Sequence, residues 1–167
     1  MKNALLLIVD VQNGFVSEVT ASVVPKLVDL LSKKKFENVA FTKYCNFNSS
    51  PFEKYLNWFR LKTDEEQSLV SELMPLATVV FEKTVYTAIN DDMKEYLKNN
   101  CIDTVYIAGI DTDCCVLTSA VDLFQMGIRP IVLADYCASN GGPESHNAAL
   151  RVLHRLIGES QIVKGIC

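Results

Sequence analysis

Six short apolar runs rich in Val, Ile and Leu recur along this chain with helical patterns between them, and that alternation restricts the fold more than any other feature. The runs are Ala4–Val9, Asn38–Thr42, Thr78–Phe81, Thr104–Ile110, Pro130–Ala134 and Gln161–Val163. They are largely unbroken by polar residues, as strands are when helices cover both of their faces. Helices are predicted over Ala21–Leu31, Glu65–Leu73, Asp91–Asn99, Cys115–Met126 and Ser145–Ile157. In the last of these, Ala149, Val152, Leu153 and Leu156 recur at three-to-four spacing and form one apolar stripe. Strand and helix in alternation predict an α/β fold: a three-layer sandwich around a mostly parallel, six-stranded, doubly wound sheet with helices on both faces. At 167 residues, without repeat or linker, the chain is expected to form a single domain over 1–167.

Charge narrows the partners. Sixteen Lys and Arg stand against twenty Asp and Glu, a net charge of -4, and no segment concentrates the cations that phosphate-backbone binding needs. The one basic run, Lys33 to Lys35, reads as the solvated end of the first helix. The opening apolar run is too short to span a membrane and leads straight into Asp10 without a small-residue cleavage site. The expectation is a cytoplasmic protein with no nucleic-acid or membrane partner. Its six cysteines (Cys45, Cys101, Cys114, Cys115, Cys137 and Cys167) contain no Cys-x-x-Cys pair, and reduced thiols are predicted.

One connection stands apart. Between the second and third strands, segment 44–60 holds Tyr44, Phe47, Phe52, Tyr55, Trp58 and Phe59 around the turn-forming Asn48-Ser49-Ser50-Pro51. Tyr55, Trp58 and Phe59 sit at helical spacing, which fits a short helix packed on the body or on a second subunit. A pocket wall or lid is the functional alternative.

Open parallel sheets bind ligands outside the carboxyl ends of their strands, so reactive side chains there carry the most weight. Asp10 directly follows the first strand, Lys83 lies just past the third, and Cys114 and Cys115 open the helix after the fourth. Singly, each has an ordinary explanation as a turn acceptor, an exposed Lys or a buried thiol. Together they place a carboxylate, an ammonium and a sulfur at one sheet edge. A thiol in the first turn of a helix feels the positive end of the helix dipole, and a nearby ammonium also favours the thiolate. The free N–H groups of the same turn can receive the oxyanion formed when sulfur attacks a carbonyl.

Three stretches carry a family resemblance. Asp10-Val11-Gln12-Asn13-Gly14-Phe15, then Glu82-Lys83 with Tyr86-Thr87-Ala88, then Gly109-Ile110-Asp111-Thr112-Asp113-Cys114-Cys115-Val116 resemble the signatures of the isochorismatase-like cysteine hydrolases. That superfamily includes nicotinamidases, carbamoylsarcosine amidohydrolase and ureidoacrylate hydrolases. The resemblance runs from Ala4 to about Val163. It implies Cys115 as nucleophile, Asp10 as general base, Lys83 as the basic member of a triad, and Cys114 as a bystander. It further implies a cis peptide bond at Ile110-Asp111, with the backbone N–H groups of Asp111 and Cys115 as oxyanion donors. The implied reaction is hydrolysis of a C–N bond in a small amide or ureide through a thioester. Phe15, Trp58 and Tyr86 are candidate pocket walls for a small planar amide, with core packing as the competing role. His146 is expected to make a structural hydrogen bond. Members usually form dimers or larger assemblies, so a homo-oligomer is expected.

The pattern also departs from the family. Nicotinamidases typically bind a divalent metal through Asp-x-His after the second strand, and here Tyr44 and Asn46 occupy those places. The only two histidines, His146 and His154, lie eight positions apart on one predicted helix, which makes no ligand set. No metal and no cofactor are therefore expected. Isochorismatases proper cleave a vinyl ether and characteristically lack the cysteine, so Cys115 favours the amide-cleaving branch. Metal-free nicotinamidase or isochorismatase-type activity, or a non-catalytic partner-binding member, are the alternatives. A thiol redox protein would need a resolving Cys-x-x-Cys, and a nucleotide-binding module would need a phosphate loop where Gly141-Gly142-Pro143 reads as a plain turn.

Overall fold

The computed structural model describes residues 1 and 3–166; Cys167 lies outside them. Six strands, β1 (Ala4–Val9), β2 (Asn38–Tyr44), β3 (Val80–Lys83), β4 (Thr104–Ile110), β5 (Arg129–Ala138) and β6 (Ile162–Val163), form one sheet in the order β3-β2-β1-β4-β5-β6. Every pairing is parallel, where the sequence predicts a mostly parallel sheet. The helices are α1 (Val23–Ser32), α2 (Pro51–Leu56), α3 (Asp64–Gln67), α4 (Asp91–Asn99), α5 (Leu117–Gln125) and α6 (Gly142–Ile157).

The central strand shows why the apolar runs are unbroken. Leu5, Leu7 and Val9 of β1 pack with Met93 and Leu97 of α4, Ala120 and Leu123 of α5, and Leu153 and Ile157 of α6. Leu6 and Ile8 point the other way and pack with Val23, Val24, Leu27 and Leu30 of α1. Side chains alternate across a strand, so only an apolar residue at every position satisfies both layers. Among the described residues no helix is long and apolar enough to cross a membrane.

Strand order reverses between β1 and β4, and the crevice outside their carboxyl ends is where such a sheet takes a ligand. Close approach there depends on Gly109. Its φ is +123°, and a Cβ at that position would lie 2.1 Å from the Val9 carbonyl oxygen. Only glycine lets β4 lie this close to the end of β1.

Several predicted bounds need correction. The helix predicted over Glu65–Leu73 is only the four-residue α3, begun by a capping box in which Thr63 and Glu66 bond each other's backbone N–H groups. It stops because the chain beyond is claimed by the loop after β1: Asn13 N–H donates to Ser68 O (2.9 Å), Gly14 N–H to Glu66 O (2.9 Å) and Val70 N–H to Val11 O (3.2 Å). The third strand lies two residues later than predicted, so Lys83 is its last residue, opposite Tyr44. The fifth extends to Ala138 past a register shift between Ile107 and Gly109. Gly142 and Pro143 form the first turn of α6 rather than a plain turn. In the aromatic segment, α2 ends at Asn57, whose φ of 53° is left-handed, so Trp58 and Phe59 lie beyond the helix.

Candidate active site

Three strand ends deliver the three reactive side chains. Asp10 turns out of β1 with φ 51°, a left-handed conformation that Asp adopts more readily than most residues. Thr42 of β2 orients it: the Thr42 hydroxyl donates to Asp10 Oδ1 (2.6 Å) and accepts from the Asp10 N–H (3.2 Å). Lys83 Nζ lies 2.6 Å from Asp10 Oδ2 and donates to Cys115 Sγ (3.4 Å) and to the carbonyls of Val85 and Tyr86 (both 3.0 Å). Asp10, Lys83 and Cys115 are 0%, 4% and 5% exposed.

Cys115 lies within a π-helical turn, Thr112–Val116, that precedes α5, rather than at the start of the α-helix itself. The Ile110–Asp111 peptide bond leading into the turn is cis. Ser119, one turn on, accepts from the Ala88 N–H (2.9 Å) and donates to the Cys115 carbonyl (2.6 Å), tying the loop after β3 to the cysteine turn. Thr112 Oγ1 and His146 Nδ1 are 2.8 Å apart, the structural bond expected of that histidine.

The electrostatics run against the sequence expectation that the helix start and a nearby ammonium favour the thiolate. Burial, and then the charge of Asp10, push the Cys115 thiol well above its ordinary pKa, against the opposing pull of Lys83. Burial alone would lower Lys83, but Asp10 and Cys115 outweigh it and raise the ammonium above its ordinary value. Burial thus works against the thiolate that Lys83 favours.

Above Cys115 opens a cavity of about 510 Å³, a size suited to a small molecule. Phe15, Trp58 and Tyr86 all line it, and Phe15 and Trp58 stack with ring centroids 5.9 Å apart. Tyr44 and Phe52 complete the aromatic wall. Tyr55 and Phe59, by contrast, face outward at 83% and 55% exposure, so segment 44–60 divides between pocket wall and outer surface. Asn46 is occupied structurally: its Oδ1 accepts from Tyr44 Oη (3.2 Å), Ser50 Oγ (2.7 Å) and the Phe47 N–H (2.9 Å).

Asn140 and Arg60 are among the cavity residues that the sequence reading does not single out. Asn140, after β5, donates through Nδ2 to Phe15 O (3.0 Å) and Asp111 Oδ1 (2.9 Å), and accepts at Oδ1 from Ser17 Oγ (2.7 Å). It clips together the loops after β1, β4 and β5. Its place just past a strand end is a signal of the kind that singles out Asp10, masked by a turn-like Ser-Asn-Gly-Gly. Arg60 lines the cavity from segment 44–60.

Asp111, held by Asn140, carries a testable pH signature. Burial raises its pKa to about 6, despite the Asn140 hydrogen bonds that lower it. Between its ordinary 3.8 and about 6, the folded state keeps a proton that the unfolded chain has lost, so this group weakens folding as pH rises through that window. Asp111→Asn is expected to remove that component. Melting temperatures of both proteins from pH 4 to 7 would then diverge across the window, and parallel curves would refute it.

A family model for the isochorismatase domain matches residues 4–160. The chain belongs to the isochorismatase family. Isochorismatase family protein 1A of Dictyostelium discoideum is 29% identical over 158 residues, which cover 92% of this chain and 69% of that protein. Among solved structures, the nicotinamidase/pyrazinamidase PncA from Bacillus subtilis is 26% identical with a TM-score of 0.82, covering 98% of this chain and 100% of that one. N-carbamoylsarcosine amidase from Thermoplasma acidophilum is 23% identical with a TM-score of 0.83, covering 99% of each chain, a likeness of fold. This isochorismatase-family hydrolase thus has the α/β architecture predicted from its strand and helix alternation.

Proposed function

We propose that the chain hydrolyses a C–N bond of a small amide or ureide, with Asp10, Lys83 and Cys115 as its catalytic triad. The observation that carries this reading is the position of Lys83 Nζ, within 2.6 Å of the Asp10 carboxylate and 3.4 Å of the Cys115 sulfur beneath an aromatic-walled cavity. Asp10 takes the thiol proton as Cys115 sulfur attacks the substrate carbonyl carbon. The N–H groups of Asp111 and Cys115 hold the oxyanion. As the tetrahedral intermediate collapses, Asp10 returns the proton to nitrogen, the C–N bond breaks, and ammonia or an amine leaves a thioester. Asp10 then takes a proton from water, whose oxygen attacks the thioester. The C–S bond breaks, the acid departs and the thiol is restored. Lys83 keeps the set near neutrality at each stage.

The kinship to proteins described as nicotinamidase and carbamoylsarcosine amidase supports amide chemistry on this fold. The test is ammonia release from a panel of small amides, ureides and nicotinamide, with Cys115→Ala as blank. Release equal to the blank across the panel would overturn the reading.

Asn140 offers a second check. Asn140→Ala frees both the Phe15 wall and Asp111, so KM is expected to rise and kcat to fall, together costing about tenfold or more in kcat/KM, while Cys115 stays in place. Steady-state kinetics indistinguishable from wild type would show that the clip is dispensable.

A further inference from the structure

The polar groups facing the cavity are nearly all occupied. Lys83 is paired with Asp10, the Asp111 carboxyl accepts from the Asn140 backbone and side chain at 2.8 and 2.9 Å, and Ser17 donates to Asn140. Arg60 is the exception. Among the described residues its guanidinium has no carboxylate in ion-pair range and donates no hydrogen bond, whereas its neighbour Lys62 is paired with Glu53.

Its backbone is nonetheless firmly placed. Asn46 Nδ2 donates to the Arg60 carbonyl (2.9 Å), and Asn46 N–H donates to the Leu61 carbonyl (2.9 Å). Leu61 is fully buried, with a left-handed φ of 58°. Arg60 is thus an exposed, unpaired cation lining the same cavity as Cys115. A guanidinium presents a planar fork of N–H donors that matches a carboxylate.

Building on the amide-cleaving reading above, we infer that Arg60 anchors a carboxylate on the substrate, so that the chain prefers amides or ureides of small carboxylic acids to neutral amides. A substrate of this class spans the cavity, its scissile carbonyl at Cys115 and its acid group at Arg60.

The test uses pairs that differ only in that charge: succinamate against succinamide, and glutaramate against glutaramide. Wild type is expected to favour the acid of at least one pair by about tenfold or more in kcat/KM. Arg60→Gln should bring that ratio close to one, mainly through the KM of the acid, and Arg60→Lys should restore part of it. A separate readout needs no turnover. Trp58, the single tryptophan of the chain, lines the cavity, so its fluorescence reports binding in a Cys115→Ala background. There the acid should bind more tightly than the diamide, and Arg60→Gln should erase the difference. Turnover without acid preference, or a preference that survives Arg60→Gln, overturns the anchor and leaves the amidase reading standing. Arg60-dependent binding without turnover by wild type supports the anchor and overturns the amidase reading. Equal binding of acid and diamide, or none, together with no turnover, overturns both.

Discussion

Cys115→Ala is expected to reduce amide turnover by at least about 10⁴-fold while leaving a folded protein. In the proposed mechanism the acyl group is carried by the Cys115 sulfur. Lys83 Nζ lies 2.6 Å from Asp10 and donates to the Cys115 sulfur at 3.4 Å, and Asp10 is the proposed base. The buried alanine costs about the transfer energy of one sulfur, on the order of 1 kcal/mol, so a loss of activity is not a loss of fold. Cys114→Ala is the matched control. Cys114 also lines the cavity, but among the described residues Lys83 hydrogen-bonds the Cys115 sulfur and not that of Cys114. That variant should keep most of its turnover. Ammonia release gives the rates, and mass spectrometry of quenched wild type should show the acyl group on the peptide bearing Cys115. Comparable activity in the two variants, or an adduct on Cys114, would reassign the nucleophile.

Lys83→Met should damage stability as well as rate. It strands the Asp10 carboxylate, which is fully buried, with only the Thr42 hydroxyl and no counter-charge. Breaking a buried pair on one side costs about 3–5 kcal/mol, roughly 10 °C in Tm for a domain this size. Because Lys83 has its pKa raised above 10.5 in the folded state, its contribution is fully present below that value and is lost only as pH climbs above it. The Tm deficit should therefore stay constant across the neutral range. The double variant Asp10→Asn/Lys83→Met removes both charges and should recover much of the Tm without recovering turnover. A single variant as stable as wild type would mean that the pair is solvated rather than buried. A double variant with restored turnover would remove both residues from the mechanism.

Much of this arrangement is legible in the residues. β1, β4 and α4 fall where their patterns predict them, α4 because Asn90 caps it and Asp91 and Asp92 favour its first turn. The strand-end rule selects Asp10, Lys83 and the pair Cys114–Cys115, the family resemblance singles out Cys115, and the fold places Lys83 within 2.6 Å of Asp10 and 3.4 Å of the Cys115 sulfur. Less legible are segments whose backbone partners lie far away. The Glu65–Leu73 pattern has helical spacing, but the loop after β1 captures its backbone, and no local propensity records that competitor. Trp58 and Tyr55 look alike by spacing, yet a left-handed Asn57 turns one into the cavity and leaves the other 83% exposed.

The ionisation of Cys115 marks the boundary most clearly. Sequence alone determined the layered α/β architecture and the candidates for the reactive groups, because strand periodicity and residue chemistry are properties of short stretches of chain. Only the tertiary structure decided that burial raises the Cys115 thiol, that Asn140 joins three loops, and that Arg60 stands unpaired at the cavity. Those outcomes depend on burial and on distances between groups far apart along the chain, and charge interactions in a water-poor site change steeply with both.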